Sequence, residues 1–320
     1  MNSVIVVGSF NVDHVWRCAD LPAVGATIAG QYSTGAGGKG FNQAVGAARA
    51  GARTAFVCSL GDDAGGALAR SLARAGGIDL RAEASDQPTG TAGIYVDARG
   101  RNSIVIGAGA NGTLGAAHIG TDPALLASAR VLLAQLESPV EAIEAALAMA
   151  REAGTTTILN PAPANASSSI GLLRLADLLT PNETEFAALL ARHVGERVEA
   201  EQVATLDGGR LHALCRLLLP HGSVVVTLGS VGVFVSHAEE QLRGDAQPHY
   251  RIGAESVAAS DTTGAGDAFN GALSASLSQF PEQPFASHVR YANRFAALST
   301  ERPGAAAAMP AHHEVVARFG

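Results

Sequence analysis

The chain has 320 residues, of which 47% are hydrophobic and only 16% charged, with 37 glycines and a formal net charge of −7. That supplies apolar material for one large core, and the charge is dispersed, with no basic run and no basic-aromatic interleaving, which argues against a nucleic-acid partner. No apolar stretch reaches the roughly 18 residues of a membrane span, and MNSVIVVGSF reads as a buried strand without the basic flank of a secretory leader, so no membrane partner and a cytoplasmic location are expected.

In chain order, strand Val4–Val7 precedes a helix over Phe41–Ala50, strand Thr54–Cys58 a helix over Gly65–Ala75, and strand Val131–Leu136 a helix over Val140–Glu152. Strands Thr157–Leu159 and Leu178–Leu179 follow, then helices Glu183–Arg192 and Leu211–Leu218, then strands Val224–Val226 and Val233–Val235. The last helix in the series is Ala268–Leu277, in which Phe269, Leu273 and Leu277 share one face. Near-continuous apolar strands separated by helices predict an α/β fold: a three-layer αβα domain around a mostly parallel sheet covered on both faces. Segments 13–34 and 89–108 break the alternation, the second as a hairpin with TAGIYV and NSIVIG around the turn DARGR. They are expected to form a small β-sheet lid, with 1–12, 35–88 and 109–320 as the main domain. A surface hairpin without a lid role fits the same residues.

Polar residues follow the apolar runs repeatedly: Asn11 and Asp13, Asp62 and Asp63, Glu137, Asn160, Asn182 with Glu185, and Thr227. Ligands of open parallel sheets bind beyond the carboxyl ends of the strands, so these side chains are expected to converge on one cleft. The cysteines, Cys18, Cys58 and Cys215, are odd in number and widely spaced, which fits reduced structural thiols. Lysine occurs once, as Lys39 inside GAGGKG, while arginine is used throughout. An ammonium is a compact charge suited to phosphate. Lys39 belongs to no Walker loop, because Ser33 stands where the first glycine is required and Gly40 where a hydroxyl residue is required.

DTTGAGDAFNG is the most informative stretch. Gly264, Ala265 and Gly266 allow backbone N–H groups to face outward where a helix begins, and a helix N-terminus attracts anions through its unpaired donors and dipole. Such an anion hole suits a transferring phosphoryl group. Asp267 would then lie close enough to accept the proton of an attacking hydroxyl.

This stretch resembles the C-terminal signature of the ribokinase-like carbohydrate kinase family, DTxGAGD followed by an aromatic residue and a small-residue helix. GSFNVD, GGKGFNQAVGAARAG, AGAN, LLAQLESP, LNPAP, TPNETE and TLGSVG extend the resemblance from about Val4 to Pro310. It implies an ATP-dependent kinase acting on a hydroxyl of a small sugar, with ribose as the favoured acceptor and a nucleoside, fructose or another sugar as alternatives. A non-catalytic sugar or nucleotide sensor is the reading of another class, against which the retained base, glycines and NxxE acid argue.

By residue, the resemblance implies that Asn11, Asp13, Gly38, Lys39, Asn42 and Glu137 bind the sugar beside Asp267. Asn182 and Glu185 would order Mg²⁺ through water against the ATP phosphates, although the same string also fits a helix capping box. Thr227, Gly229, Ser230, Gly232 and Gly266 resemble the nucleotide-phosphate loops, and Asn293 falls where the family contacts adenine. Asp261 and Thr263 match a monovalent-cation site for K⁺. There the later loop departs from the family pattern, with one extra residue in Thr300–Gly304 and Ala308 where a serine is usual. The resemblance also implies a homodimer joined through the lids.

Overall fold

The structure, a computed structural model, describes residues 4–320; residues 1–3, which open the 1–12 segment, lie outside the described residues. The strands are β1 (Val4–Val7), β2 (Asn11–Arg17), β3 (Gln31–Gly37), β4 (Thr54–Gly61), β5 (Asp79–Ser85), β6 (Thr91–Val96) and β7 (Asn102–Gly107). The series continues with β8 (Val131–Ala134), β9 (Thr156–Leu159), β10 (Leu178–Leu179), β11 (Ser223–Thr227), β12 (Val233–Ser236) and β13 (His249–Ile252). The longer helices are α1 (Lys39–Arg49), α2 (Ala64–Ala75), α3 (Val140–Glu152), α4 (Glu183–His193), α5 (Gly208–Leu218), α6 (Ala265–Gln279), α7 (Phe285–Ser299) and α8 (His312–Phe319).

Among the described residues a nine-stranded sheet runs β13-β12-β11-β10-β9-β8-β1-β4-β5. It is parallel from β5 to β11, and β12 and β13 close one edge antiparallel. Alternation along a strand sends successive side chains to opposite faces. Val4 and Val6 of β1 therefore enter a core shared with Phe41, Phe269 and Val289, while Ile5 and Val7 enter the opposite core with Ile143, Phe186 and Leu214. Helices thus cover both faces, and the expected three-layer αβα architecture is the one observed. Neither β5 nor β13 contains a continuous apolar run, because an edge strand is half solvated and needs none.

Glycine decides two details that bear on the site. α1 and α6 start earlier than their apolar periodicity indicates, immediately after Gly38 (φ 88°) and Gly264 (φ 76°). Both hold a left-handed backbone that disfavours other residues. Farther along α6, a Cβ on Gly271 would lie 2.6 Å from the Gln43 carbonyl oxygen and 2.7 Å from the Ala47 nitrogen. The absence of that Cβ lets α1 and α6 approach backbone to backbone.

The second sheet has the order β3-β2-β6-β7, with β2 parallel to β6 and the outer pairs antiparallel. Its hairpin pairs Thr91–Val96 with Asn102–Gly107, and the Asp97 carboxylate accepts from the Arg99 and Arg101 backbone N–H groups to close the turn. β2 pairs Asn11 with Gly37 at the root of this sheet, so the sheet grows directly out of the loop that leads into α1.

Candidate active site

Asp267 occupies the first turn of α6, and the close α1–α6 contact sets it against two amides. Its Oδ2 accepts from Asn42 Nδ2 and its Oδ1 from Gln43 Nε2, both at 2.9 Å. Burial pushes this carboxyl above its ordinary range, an effect opposed by the Lys39 ammonium and the two amide donors. Lys39 is held above the usual lysine range: burial works against its charge, but Asp267, Glu137 and Glu185 outweigh it.

A cleft of about 150 Å³ opens above Asp267, lined by Lys39, Asn160, Thr180, Asn182, Glu185, Thr227, Gly264, Ala265, Gly266 and Asn270. A Cβ on Gly264 would meet Ala305 at 2.8 Å, whereas a Cβ on Gly266 would meet nothing within 4 Å. The first turn of α6 is therefore open on the cleft side. Asn182 and Glu185 form the capping box of α4: Asn182 Oδ1 accepts from the Glu185 N–H at 2.8 Å, and Glu185 Oε2 accepts from the Asn182 N–H at 2.9 Å. Burial raises the Glu185 carboxyl, with the Asn182 N–H and Lys39 opposing. Its Oε1 is the oxygen left for a further partner.

A larger cleft of about 1630 Å³ lies between the small sheet and the main domain. Asp13, Val15 and Arg17 line it from β2, Phe41 from below, and Thr262 borders both clefts. Burial, with the Glu137 charge behind it, raises Asp13 to about 6. Glu137 Oε2 accepts from Ser9 Oγ at 2.6 Å and from the Lys39 backbone N–H at 3.0 Å. Asn11 is buried, and its Oδ1 accepts from Asn111 Nδ2 at 2.8 Å. A Cβ on Gly38 would lie 2.8 Å from Asn11 N and from Ser9 O, so this turn also requires glycine. Asn11, Asp13, Gly38, Lys39, Asn42, Glu137 and Asp267 thus come together across β2, α1, the β8 exit and α6.

Thr227 lines the smaller cleft and bridges to Asn182, while Gly229 (φ 51°), Ser230 and Gly232 (φ 107°) form the turn beyond it. Asn293, on α7, donates to the Gly253 carbonyl at 2.9 Å and lines neither of these clefts. Asp261 accepts from the Thr263 N–H at 2.9 Å and from the Gly304 N–H at 2.8 Å, stitching the loop before α6 to the loop after α7.

Two of the strand-end residues expected in the cleft are not there. Asp62 is exposed, and Asp63 caps α2 through Gly66 N–H while binding both the N–H and the hydroxyl of Thr89. It fastens α2 to the chain entering β6, so this strand-end carboxylate serves as a helix cap. Sequence reasoning also missed Gln43, Gln135 and Asn270. Gln43 adjoins Asn42 in GGKGFNQ, and that adjacency was the available signal.

The pfkB family carbohydrate kinase model matches residues 1–312. The chain belongs to the pfkB family of carbohydrate kinases. This kinase is 36% identical over 321 residues to a ribokinase of Haemophilus influenzae, with 98% of this chain and 97% of that protein covered. Among solved structures it is similar to ribokinase from Giardia lamblia, with a TM-score of 0.87 and 28% identity over 100% of this chain and 99% of that one. Arabidopsis thaliana ribokinase, solved with ribose and ATP, matches with a TM-score of 0.80 and 28% identity over 99% and 98% of the two chains. The kinase is accordingly a phosphotransferase acting on an alcohol group of a sugar.

Proposed function

We propose that this kinase is a ribokinase: D-ribose and ATP give D-ribose 5-phosphate and ADP, with Asp267 as the general base. The observation that carries this reading is a buried carboxylate, held by two amides, at the open first turn of α6 and beside the one lysine. In the step itself Asp267 takes the proton of the primary hydroxyl, the hydroxyl oxygen bonds to the γ-phosphorus, and the bond to the β-phosphate oxygen breaks, releasing ADP. The Gly264 and Gly266 N–H groups and Lys39 stabilise charge on the transferring group, whereas the Ala265 N–H, expected from the sequence to join them, donates to the Thr262 carbonyl at 3.2 Å.

The sugar end is rich in groups that reward hydroxyls. Asn42 Oδ1 is buried without a protein partner, so any donor that reaches it removes a penalty of about 1–3 kcal/mol. Glu137, Asn11 and Asp13 pair further hydroxyls. A nucleoside acceptor is disfavoured by the placing of the lid aromatics. Trp16 stacks with Tyr95 and packs on Tyr32, but Trp16 alternates with Asp13, Val15 and Arg17 along β2 and faces away from the cleft.

The nucleotide end fits ATP. Thr227 borders the smaller cleft with the Gly229–Gly232 turn beyond it, and Asn293, which lines neither cleft, is given the adenine side on the resemblance alone. Glu185, with one carboxylate oxygen left over from its cap, suits Mg²⁺, an ion that keeps most of its water shell. Among the described residues no group of three acidic, histidine or cysteine side chains is poised for a metal, which accords with an ion held largely by phosphate and water. When bound, Mg²⁺ supplies charge neutralisation on the phosphates. Asp261 and Thr263 mark the loops that would hold K⁺ through backbone carbonyls.

Steady-state kinetics with ribose, 2-deoxyribose, fructose and adenosine test the acceptor, and ribose is expected to have the highest kcat/KM. Asp267→Asn is expected to lower kcat by about 10²–10⁴ with the KM for ATP within about threefold. Turnover near that of the parent enzyme in this variant would remove Asp267 from the base role.

A further inference from the structure

Behind Asp267 lies an amide chain that nothing in the transfer step itself requires. Gln43 is fully buried and has every polar atom of its side chain engaged. Its Nε2 donates to Asp267 Oδ1 at 2.9 Å and to Asn160 Oδ1 at 3.0 Å, and its Oε1 accepts from Gln135 Nε2 at 2.5 Å. Asn160 in turn donates to the Thr180 carbonyl at 2.9 Å. Gln135, Asn160 and Thr180 directly follow β8, β9 and β10. The chain therefore runs from the ends of three neighbouring strands into the carboxylate.

Only one orientation of the Gln43 amide is compatible with these partners. Turned over, its oxygen would face the Asp267 and Asn160 oxygens, and its NH₂ would face the NH₂ of Gln135. The other amide on the base, Asn42, differs in having an unpartnered buried oxygen.

We propose that Gln43 is a positioning residue for the base, pinning Oδ1 of Asp267 to the sheet so that Oδ2 is the atom that receives the acceptor proton. This rests on the reading of Asp267 as general base. A donor to the ionised carboxylate also favours that form. The charged groups facing Asp267 are Lys39 from α1, Glu137 from the β8 exit and Glu185 from α4, so the amides and Lys39 stand against two further carboxylates. Without Gln43 the base should become protonated at higher pH.

The experiment compares kcat and kcat/KM against pH for the full-length enzyme and for Gln43→Met, Asp267→Asn and the double variant. Gln43→Met is expected to move the acid limb of kcat/KM up by about one pH unit, giving a loss of about tenfold at low pH and under about threefold at pH 9. The KM for sugar should change by less than about threefold, and in the Asp267→Asn background Gln43→Met should cost nothing further. An equal loss at all pH values, a change in KM alone, or the same loss in the Asp267→Asn background would overturn the proposal. If Gln43→Met fails to fold, Gln135→Met decides the matter, since it leaves Gln43 Oε1 without its partner and so loosens the hold of Nε2 on Asp267 Oδ1. It should shift the acid limb in the same direction by about half a unit, and an unshifted limb overturns the proposal. If Asp267→Asn keeps normal turnover, the base reading itself fails. An inactive Asp267→Asn with an unshifted Gln43→Met sinks only the positioning role.

Discussion

Asp13 combines a cost to the fold with a use to the site. Its carboxyl titrates near 3.8 when unperturbed and at about 6 in the folded protein, raised by burial and by Glu137. The folded state thus binds this proton more tightly, so the contribution of Asp13 to stability falls as pH rises from about 4 to about 6 and is level above that window. Asp13→Asn should remove this contribution and stabilise the protein at pH 7.5 by up to about 3 kcal/mol, while raising the KM for ribose at least about tenfold. Thermal melts between pH 4.5 and 8, together with kinetics at pH 7.5, check both halves. Asp13, Asn11 and Glu137 were legible because each follows an apolar strand at the end where ligands bind. Asp63 obeys the same rule and is a helix cap, because a carboxylate at that place can serve a backbone N–H equally well. Gln43 gave no comparable sign: an amide whose partners all lie in distant segments looks like any other polar helical residue. The Asn182 and Glu185 string allowed two readings, and its geometry satisfies the capping box while still lining the cleft.

Among the elements, the pair α1 and α6 matters most, since one carries the amides and the other the proposed base. Their approach depends on Gly271, whose missing Cβ would otherwise sit 2.6 to 2.9 Å from the α1 backbone. Gly271→Ala gains about 1 kcal/mol of helix propensity. The clash is with backbone that cannot rotate away, and overpacking of this kind costs about 1–3 kcal/mol or more. The variant is expected to melt several degrees lower and to lose at least about tenfold in kcat, because parting the helices pulls Asp267 from Asn42 and Gln43. Gly266→Ala is the matched control for stability, as its Cβ meets nothing within 4 Å. Circular dichroism melts and turnover numbers for the two variants separate packing from chemistry. The central strands were legible from their β-branched apolar runs, which burial on both faces requires. The edge strands β5 and β13 were not, and the starts of α1 and α6 were misplaced because a glycine N-cap offers no side-chain signal.

At the scale of the whole molecule, the exposed large apolar side chains concentrate on one part. Val24, Ile28, Tyr32, Ile104, Val105 and Ile106 all belong to the small sheet and its connections, and Val24 is 108% exposed. The outermost strands, β3 and β7, leave backbone donors and acceptors unpaired along both edges, a template for another chain. We propose that two copies join through these sheets. Sedimentation equilibrium is expected to show a dimer, and Val105→Lys with Ile106→Lys a monomer; a parent chain that is monomeric at micromolar concentration would end this reading. The same view of the molecule gives the single lysine a different meaning. Lys39 lies within the cleft and is held protonated by three carboxylates, so the side chains of the protein's outer surface carry no amine at all. Active esters, which label most proteins at many lysines, find no side-chain amine on that surface, and the one in the cleft, held as an ammonium, is a poor nucleophile toward them.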